Sequence, residues 1–133
     1  MNILDDLKLQ YKTGGIVQKL IFCNIVVFVF FALLDVILKL SKINIGYYNY
    51  IALSSLPSEF LMKPWTLITF NFMHAGFLHL FFNLMVLHFS GRLFNTYFTD
   101  KQLLGVYILG GIFSGITFVL SYVFIGKAGL LVG

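Results

Sequence analysis

The sequence predicts an all-α, polytopic transmembrane helical bundle, and three observations carry that prediction. The first is composition. A mean hydropathy of +0.94, 59% hydrophobic residues and 11% charged residues describe an integral membrane protein, not a soluble core. The second is a series of long apolar runs bracketed by lysine and arginine. The third is a pair of polar residues, His79 and Asn83, in the stretch Pro64 to Gly91, which contains no Asp, Glu, Lys or Arg. Polar groups at membrane depth are costly unless something uses them. With 133 residues, the chain is long enough for one small domain.

Residues 1–16 are polar and mildly amphipathic. Leu4, Leu7 and Tyr11 share a helical face, which fits a short interfacial helix or a frayed tail. The first span is expected at about residues 20–38, between Lys19 and Lys39, with Asn24 and Asp35 as its only strongly polar groups. At about 1.5 Å per residue it nearly covers a hydrocarbon core of about 30 Å. It is too long for the apolar part of a signal peptide, and no small-x-small cleavage site follows it.

Residues 39–76 form a long connection, and a connection of that length is more often functional than idle. Tyr47, Tyr48 and Tyr50 suit the water–lipid boundary. Ser55-Leu56-Pro57-Ser58-Glu59 predicts a turn into a short helix, with Glu59 near its positive N-terminus, and Lys63-Pro64 ends it. Trp65 to Gly76 is expected at the interface.

The second span is predicted at about 77–94, with Gly91-Arg92 marking its far end. A third is predicted at about 103–125, inside the uncharged run between Lys101 and Lys127. Its Gly111 and Gly115 make a G-x-x-x-G pair, the pattern that lets helix backbones approach closely in lipid. The chain is then expected to turn through Gly126-Lys127-Ala128-Gly129.

The basic residues flank spans and form no nucleic-acid patch. With the N-terminus inside, Lys8, Lys12, Lys19, Arg92 and Lys101 face inward, against Lys39, Lys42, Lys63 and Lys127 outside, a slight lean to a cytoplasmic N-terminus. Cys23 is the only cysteine, so no internal disulfide forms. There is no C-x-x-C, no phosphate-binding glycine loop and no H-E-x-x-H metal signature.

His79 and Asn83 are four residues apart, so they share one helical face, one turn apart. They could glue helices together by hydrogen bonds. Alternatively they form an oxyanion hole, with donors waiting where negative charge develops on a carbonyl oxygen. A metal site is disfavoured: His74 lies five residues from His79, His88 is on the opposite side of the helix, and no carboxylate or thiol joins them. His88 is expected near the inner interface or against a neighbouring helix. His74 stands just before the second span, where it supports the loop or joins the site. Ser114 lacks the G-x-S-G spacing of a nucleophile and reads as a packing residue.

The run Lys63-Pro64-Trp65-Thr66-Leu67-Ile68-Thr69-Phe70-Asn71-Phe72-Met73-His74-Ala75-Gly76-Phe77-Leu78-His79-Leu80-Phe81-Phe82-Asn83 resembles the first-loop and second-span region of rhomboid intramembrane serine proteases. Gly91-Arg92-Leu93-Phe94 and Tyr107-Ile108-Leu109-Gly110-Gly111 are similar to bacterial rhomboids as well, so the resemblance covers about residues 15–133. It implies a rhomboid-like bundle with three of six core spans in residues 17–133. It also implies a serine-type endopeptidase of the bacterial cytoplasmic membrane, with its N-terminus in the cytoplasm. Such enzymes cleave transmembrane segments of other proteins and use no cofactor or metal. A serine on the fourth span attacks the carbonyl and a histidine on the sixth is the base. The implied roles here are oxyanion donation by His79 and Asn83, with His74 and Trp65 shaping the loop around the site. The expected partners are the bilayer and transmembrane substrates, with no nucleic acid.

Two departures from the family pattern stand out. Many rhomboids carry Trp-Arg in the first loop, where this chain has Trp65-Thr66. The family's Gly-x-Ser-Gly motif would begin at Gly133, which puts the serine past the last residue; the 133 residues alone are then expected to be inactive. The alternatives are a non-catalytic rhomboid-like protein that binds transmembrane helices, and a small structural or transport subunit.

Overall fold

The computed structural model describes residues 2–126 and 129–132. It opens with α1 (Ile3–Thr13), a short helix with Asp5 and Asp6 in its first turn and Lys12 in its last, both of which complement the helix dipole. Of the two expectations for this segment, helix is the one observed. Three long apolar helices follow: α2 (Ile16–Leu40), then, after the loop elements, α6 (Phe77–Asn95) and α7 (Asp100–Ile125). At about 1.5 Å per residue all three are close to or longer than a hydrocarbon core. Their outer faces are apolar and uncovered, among them Val26, Phe30 and Leu33 on α2 and Phe113, Leu120 and Phe124 on α7. The chain is an integral membrane protein with a helical bundle fold.

One end of the bundle is tied by a carboxylate. Asp100, at the start of α7, accepts a hydrogen bond from the Ile16 backbone N–H at 2.9 Å and one from Asn95 Nδ2 at 2.8 Å. It therefore satisfies an otherwise unpaired N–H at the start of α2 and joins it to the end of α6. Thr99 and Gln102 form a capping box at the same place. Just inside this end α2 and α6 cross at Val17 and Gly91, where an added Cβ on Gly91 would lie 2.7 Å from Val17 Cγ2. Gly91 is thus a crossing point rather than a stop, and α6 runs on to Asn95. Replacing Asp100 with Ala should lower stability by about 1–2 kcal/mol for two charge-assisted bonds at an exposed site. Reversible unfolding in mixed micelles measures this, and Asp100→Asn, which keeps an acceptor, should lose less.

The connection between α2 and α6 is a folded layer. It holds α3 (Tyr48–Ile51), strand β1 (Leu53–Ser54), α4 (Pro57–Met62), α5 (Thr66–Thr69) and a 3-10 turn at Phe70–Phe72. The predicted short helix at Pro57 is α4, with proline in its first turn. After α7, strand β2 (Leu130–Leu131) pairs antiparallel with β1, with Leu53 opposite Leu131 and Ser54 opposite Leu130. Next to that pair, Ser55 N–H donates to Gly129 O at 3.0 Å, and Gly129 N–H donates to Ser55 Oγ at 2.9 Å. The turn expected through Gly126-Lys127-Ala128-Gly129 includes residues 127–128, which lie outside the described residues, as does Gly133.

The best-buried apolar cluster lies under this layer: Leu53, Phe70 and Val119, with Phe60, Leu67, Phe118 and Leu131 packed around them. It corrects one expectation. Among the described residues, the nearest neighbours of Gly111 and Gly115 belong to the loop layer and not to another transmembrane helix. A Cβ on Gly115 would sit 2.8 Å from Leu67 Cδ2 and 2.9 Å from Leu53 Cδ2, and one on Gly111 would overlap the Asn71 side chain. The small-residue face of α7 is where the loop layer docks. A second correction concerns Ser114, which is exposed rather than packed. It stands about 100° around the helix from buried Gly115.

Candidate functional site

His79 and Asn83 lie on the first turns of α6, one turn apart. Gly76 precedes the helix in extended backbone, and the Leu80 N–H donates to its carbonyl at 3.0 Å, which closes the first helical turn. His79 is exposed and Asn83 half-buried. Asn83 lines a cleft of about 360 Å³ together with Asn24 of α2, Asn71 of the 3-10 turn, His74 and Tyr107 of α7. His79 is not in the lining of this cleft but meets it through His74. The two imidazoles stand edge to face, 5.5 Å between centroids. His74 thus links the exposed histidine to the cleft, and the three residues singled out from sequence fall in one neighbourhood.

The polar lining is mostly unpaired. Asn24 is 2% exposed; its Nδ2 donates to Leu20 O at 2.8 Å and to Tyr107 Oη at 3.3 Å, while its Oδ1 has no partner among the described residues. Asn71 Nδ2 and His74 Nδ1 are likewise buried without partners among the described residues. Leaving such an atom unpaired costs about 1–3 kcal/mol, so these groups are ones that a further hydrogen-bond partner would satisfy. Burial pushes the His74 imidazolium below the ordinary histidine range, and His79 nearby acts in the same direction. The Phe72 backbone partly opposes both.

The loop holds this arrangement in place. Trp65 Nε1 donates to Tyr50 O at 2.9 Å, Lys63 Nζ donates to Asn49 O at 2.9 Å, and the Lys63 ammonium lies 5.0 Å from the centroid of the Tyr50 ring. Thr66 is buried, and its hydroxyl donates to Lys63 O at 2.6 Å; Thr69 Oγ1 donates to Ile51 O at 2.8 Å. The position that carries arginine in many rhomboids is occupied here by a threonine, bonded within the loop. Lys63, Trp65 and Thr69 thus tie this part of the loop to Asn49, Tyr50 and Ile51, and Thr66 bonds back to Lys63.

Other expectations fall elsewhere. His88 lines a separate cleft at the Asp100 end of the bundle, with Val17, Gln18, Arg92 and Asn95. Among the described residues, no group of three His, Cys, Asp or Glu side chains could hold a metal ion. The sequence reading missed Asn71 and Tyr107 as cleft residues. It noted Asn24 only as a polar residue in an apolar span, which was the signal that could have placed it in the site.

The Rhomboid domain family model matches residues 62–133, just over half of the chain, from the end of α4 past α7 and β2. No curated protein and no solved structure gives a match.

Proposed function

The chain belongs to the rhomboid family, and we propose that it forms the oxyanion-stabilising part of an intramembrane serine endopeptidase that cleaves transmembrane segments of other proteins. The observation that carries this reading is the placement of His79 and Asn83 one turn apart at the start of a membrane-spanning helix. In the proposed reaction a serine hydroxyl adds to the scissile carbonyl carbon while a histidine takes its proton. Negative charge moves onto the carbonyl oxygen, where the imidazole N–H of His79 and the amide of Asn83 donate to it. Collapse of the intermediate expels the amine, which takes the proton from the histidine, and water then releases the acyl group by the same route. No metal or cofactor enters. His74 orients the His79 ring by edge contact, and Trp65 holds the loop beside it.

The serines whose hydroxyls are paired, Ser54, Ser55, Ser90 and Ser121, bond to backbone and to no histidine among the described residues. In this reading the nucleophilic serine and the histidine base are those that the family resemblance puts on later spans. The proposed setting is a bacterial cytoplasmic membrane with the N-terminus in the cytoplasm and the 39–76 loop on the outer side.

The coding sequence around Gly133 tests this directly. The protease reading expects x-Ser-Gly as the next residues and a histidine in a later apolar span. A stop codon immediately after Gly133 would instead favour a non-catalytic rhomboid-like protein that binds transmembrane helices, a reading that the unpaired polar cleft residues also accommodate.

A further inference from the structure

Asp35 is a carboxylate within an apolar helix, and it stands about one and a half turns before the C-terminus of α2. That is a costly position for an anion, because the helix end already carries partial negative charge. Among the described residues it accepts one side-chain hydrogen bond, from Tyr47 Oη at 2.6 Å. Around it stands an aromatic wall. The Tyr47 ring stacks on Phe31, 5.4 Å between centroids and 12° between planes, and Tyr48 meets Tyr47 edge to face at 6.3 Å. These residues line a cleft of about 170 Å³ between α2 and the segment that leads into α6. The volume is several times the ~30 Å³ of a water molecule.

A second cleft of about 350 Å³ adjoins the first and shares Asp35, Tyr47 and Tyr48. Its other lining includes Lys39 and Lys42. Lys39 is one turn beyond Asp35, and the cation-bearing side of the pair lies toward the helix end, where basic groups are favoured. A carboxylate with aromatic faces recognises an ammonium, and Lys39, one turn along α2, with Lys42 just past the helix end recognises a phosphate. The two lie about one helical pitch, about 5.4 Å, apart along α2.

We propose that the Asp35 end of α2 is a binding site for a zwitterionic phospholipid headgroup, with the ammonium of a phosphoethanolamine or phosphocholine against Asp35, Tyr47 and Phe31 and its phosphate toward Lys39 and Lys42. A two-carbon bridge separates ammonium and phosphate in such headgroups, which suits the one-turn spacing. The tyrosines place this end of the helix at the water–lipid boundary, where headgroups lie. An anionic lipid such as phosphatidylglycerol offers the phosphate but no cation, so it satisfies the lysines and leaves Asp35 uncompensated. The site does not depend on the protease reading: His74 borders the smaller cleft, but Phe31, Asp35, Lys39, Lys42, Tyr47 and Tyr48 take no part in the proposed chemistry.

Native mass spectrometry of the purified chain tests this. The chain is released from vesicles of equimolar phosphatidylethanolamine, phosphatidylcholine and phosphatidylglycerol. Wild type is expected to retain the zwitterionic lipids over phosphatidylglycerol. Asp35→Asn keeps an acceptor for Tyr47 but removes the charge, and should lower that ratio about two- to fivefold, the size of a cation–π and carboxylate contact at a partly exposed site. Tyr47→Phe removes the hydrogen bond but keeps the ring and the carboxylate, and should retain the preference. Equal retention of all three lipids by wild type would overturn the proposal. So would a ratio unchanged in Asp35→Asn. Equal loss in Tyr47→Phe and Asp35→Asn would also overturn it, because it would trace the effect to the tie between loop and helix.

Discussion

Replacing His79 with Ala should lower kcat for cleavage of a transmembrane reporter about 10²–10³-fold, and Asn83→Ala should do the same, each with little change in KM. That is the usual loss when one oxyanion donor is removed, about 3–4 kcal/mol of transition-state stabilisation. The substrate's ground-state carbonyl gains little from these donors, so the loss belongs in kcat. The double variant should be only slightly worse than either single one, because two donors to one oxygen act as a unit. The assay uses protein expressed from the native gene and reconstituted in bilayers.

The same two variants separate catalysis from helix adhesion. His79 is exposed and makes no side-chain hydrogen bond among the described residues. Its truncation should therefore leave stability within about 0.5 kcal/mol of wild type. If these residues only held helices together, Ala variants would unfold more easily and the folded fraction would cleave at the wild-type rate. Unchanged cleavage in both variants would remove the oxyanion role, whatever the stability.

What could be read from the sequence here is what depends on local composition. The spans were legible because a membrane helix must be apolar along its whole length, so α2, α6 and α7 announce themselves without any partner. The helix at Pro57 was legible because proline and Glu59 are local signals. His79 and Asn83 stood out because charge-free surroundings make any polar group conspicuous. The loop layer was not legible in this way. The β1–β2 pair is two residues on each strand, with Leu53 opposite Leu131 some 78 positions away, too short for any alternation to show. The Asp100 tie joins Ile16 to Asn95 across 84 positions on one side and five on the other. The partner of Gly111 and Gly115 could not be read either. A small-residue stripe states that something comes close, and the pattern G-x-x-x-G is the same whether that neighbour is a helix or a loop.

That last ambiguity yields the second large effect. Gly115→Val should destabilise the protein by about 1–3 kcal/mol and loosen the loop layer, while Gly110→Ala, five residues away on the same helix, should be neutral or slightly stabilising. At Gly115 the first added carbon already falls 2.8–3.0 Å from Leu67 Cδ2, Leu53 Cδ2 and Phe70 Cε1. Leu53 and Phe70 are 0% and 3% exposed and belong to the main apolar cluster, so neither can move aside without opening space elsewhere. Overpacking of that kind costs about 1–3 kcal/mol. At Gly110 no atom lies within 4 Å of the added carbon, and Ala is the better helix former by up to about 1 kcal/mol. Gly111 falls between the two. Its added carbon meets the end of the Asn71 side chain, which can swing away, so Gly111→Ala should cost less stability than Gly115→Val but displace Asn71 from the cleft beside Asn83. Unfolding in mixed micelles ranks the three. Hydrogen exchange at Leu53 to Ser55 then reports whether the loop layer has lifted from α7. A loss at Gly110→Ala equal to that at Gly115→Val would mean that this face of α7 meets a partner other than the loop.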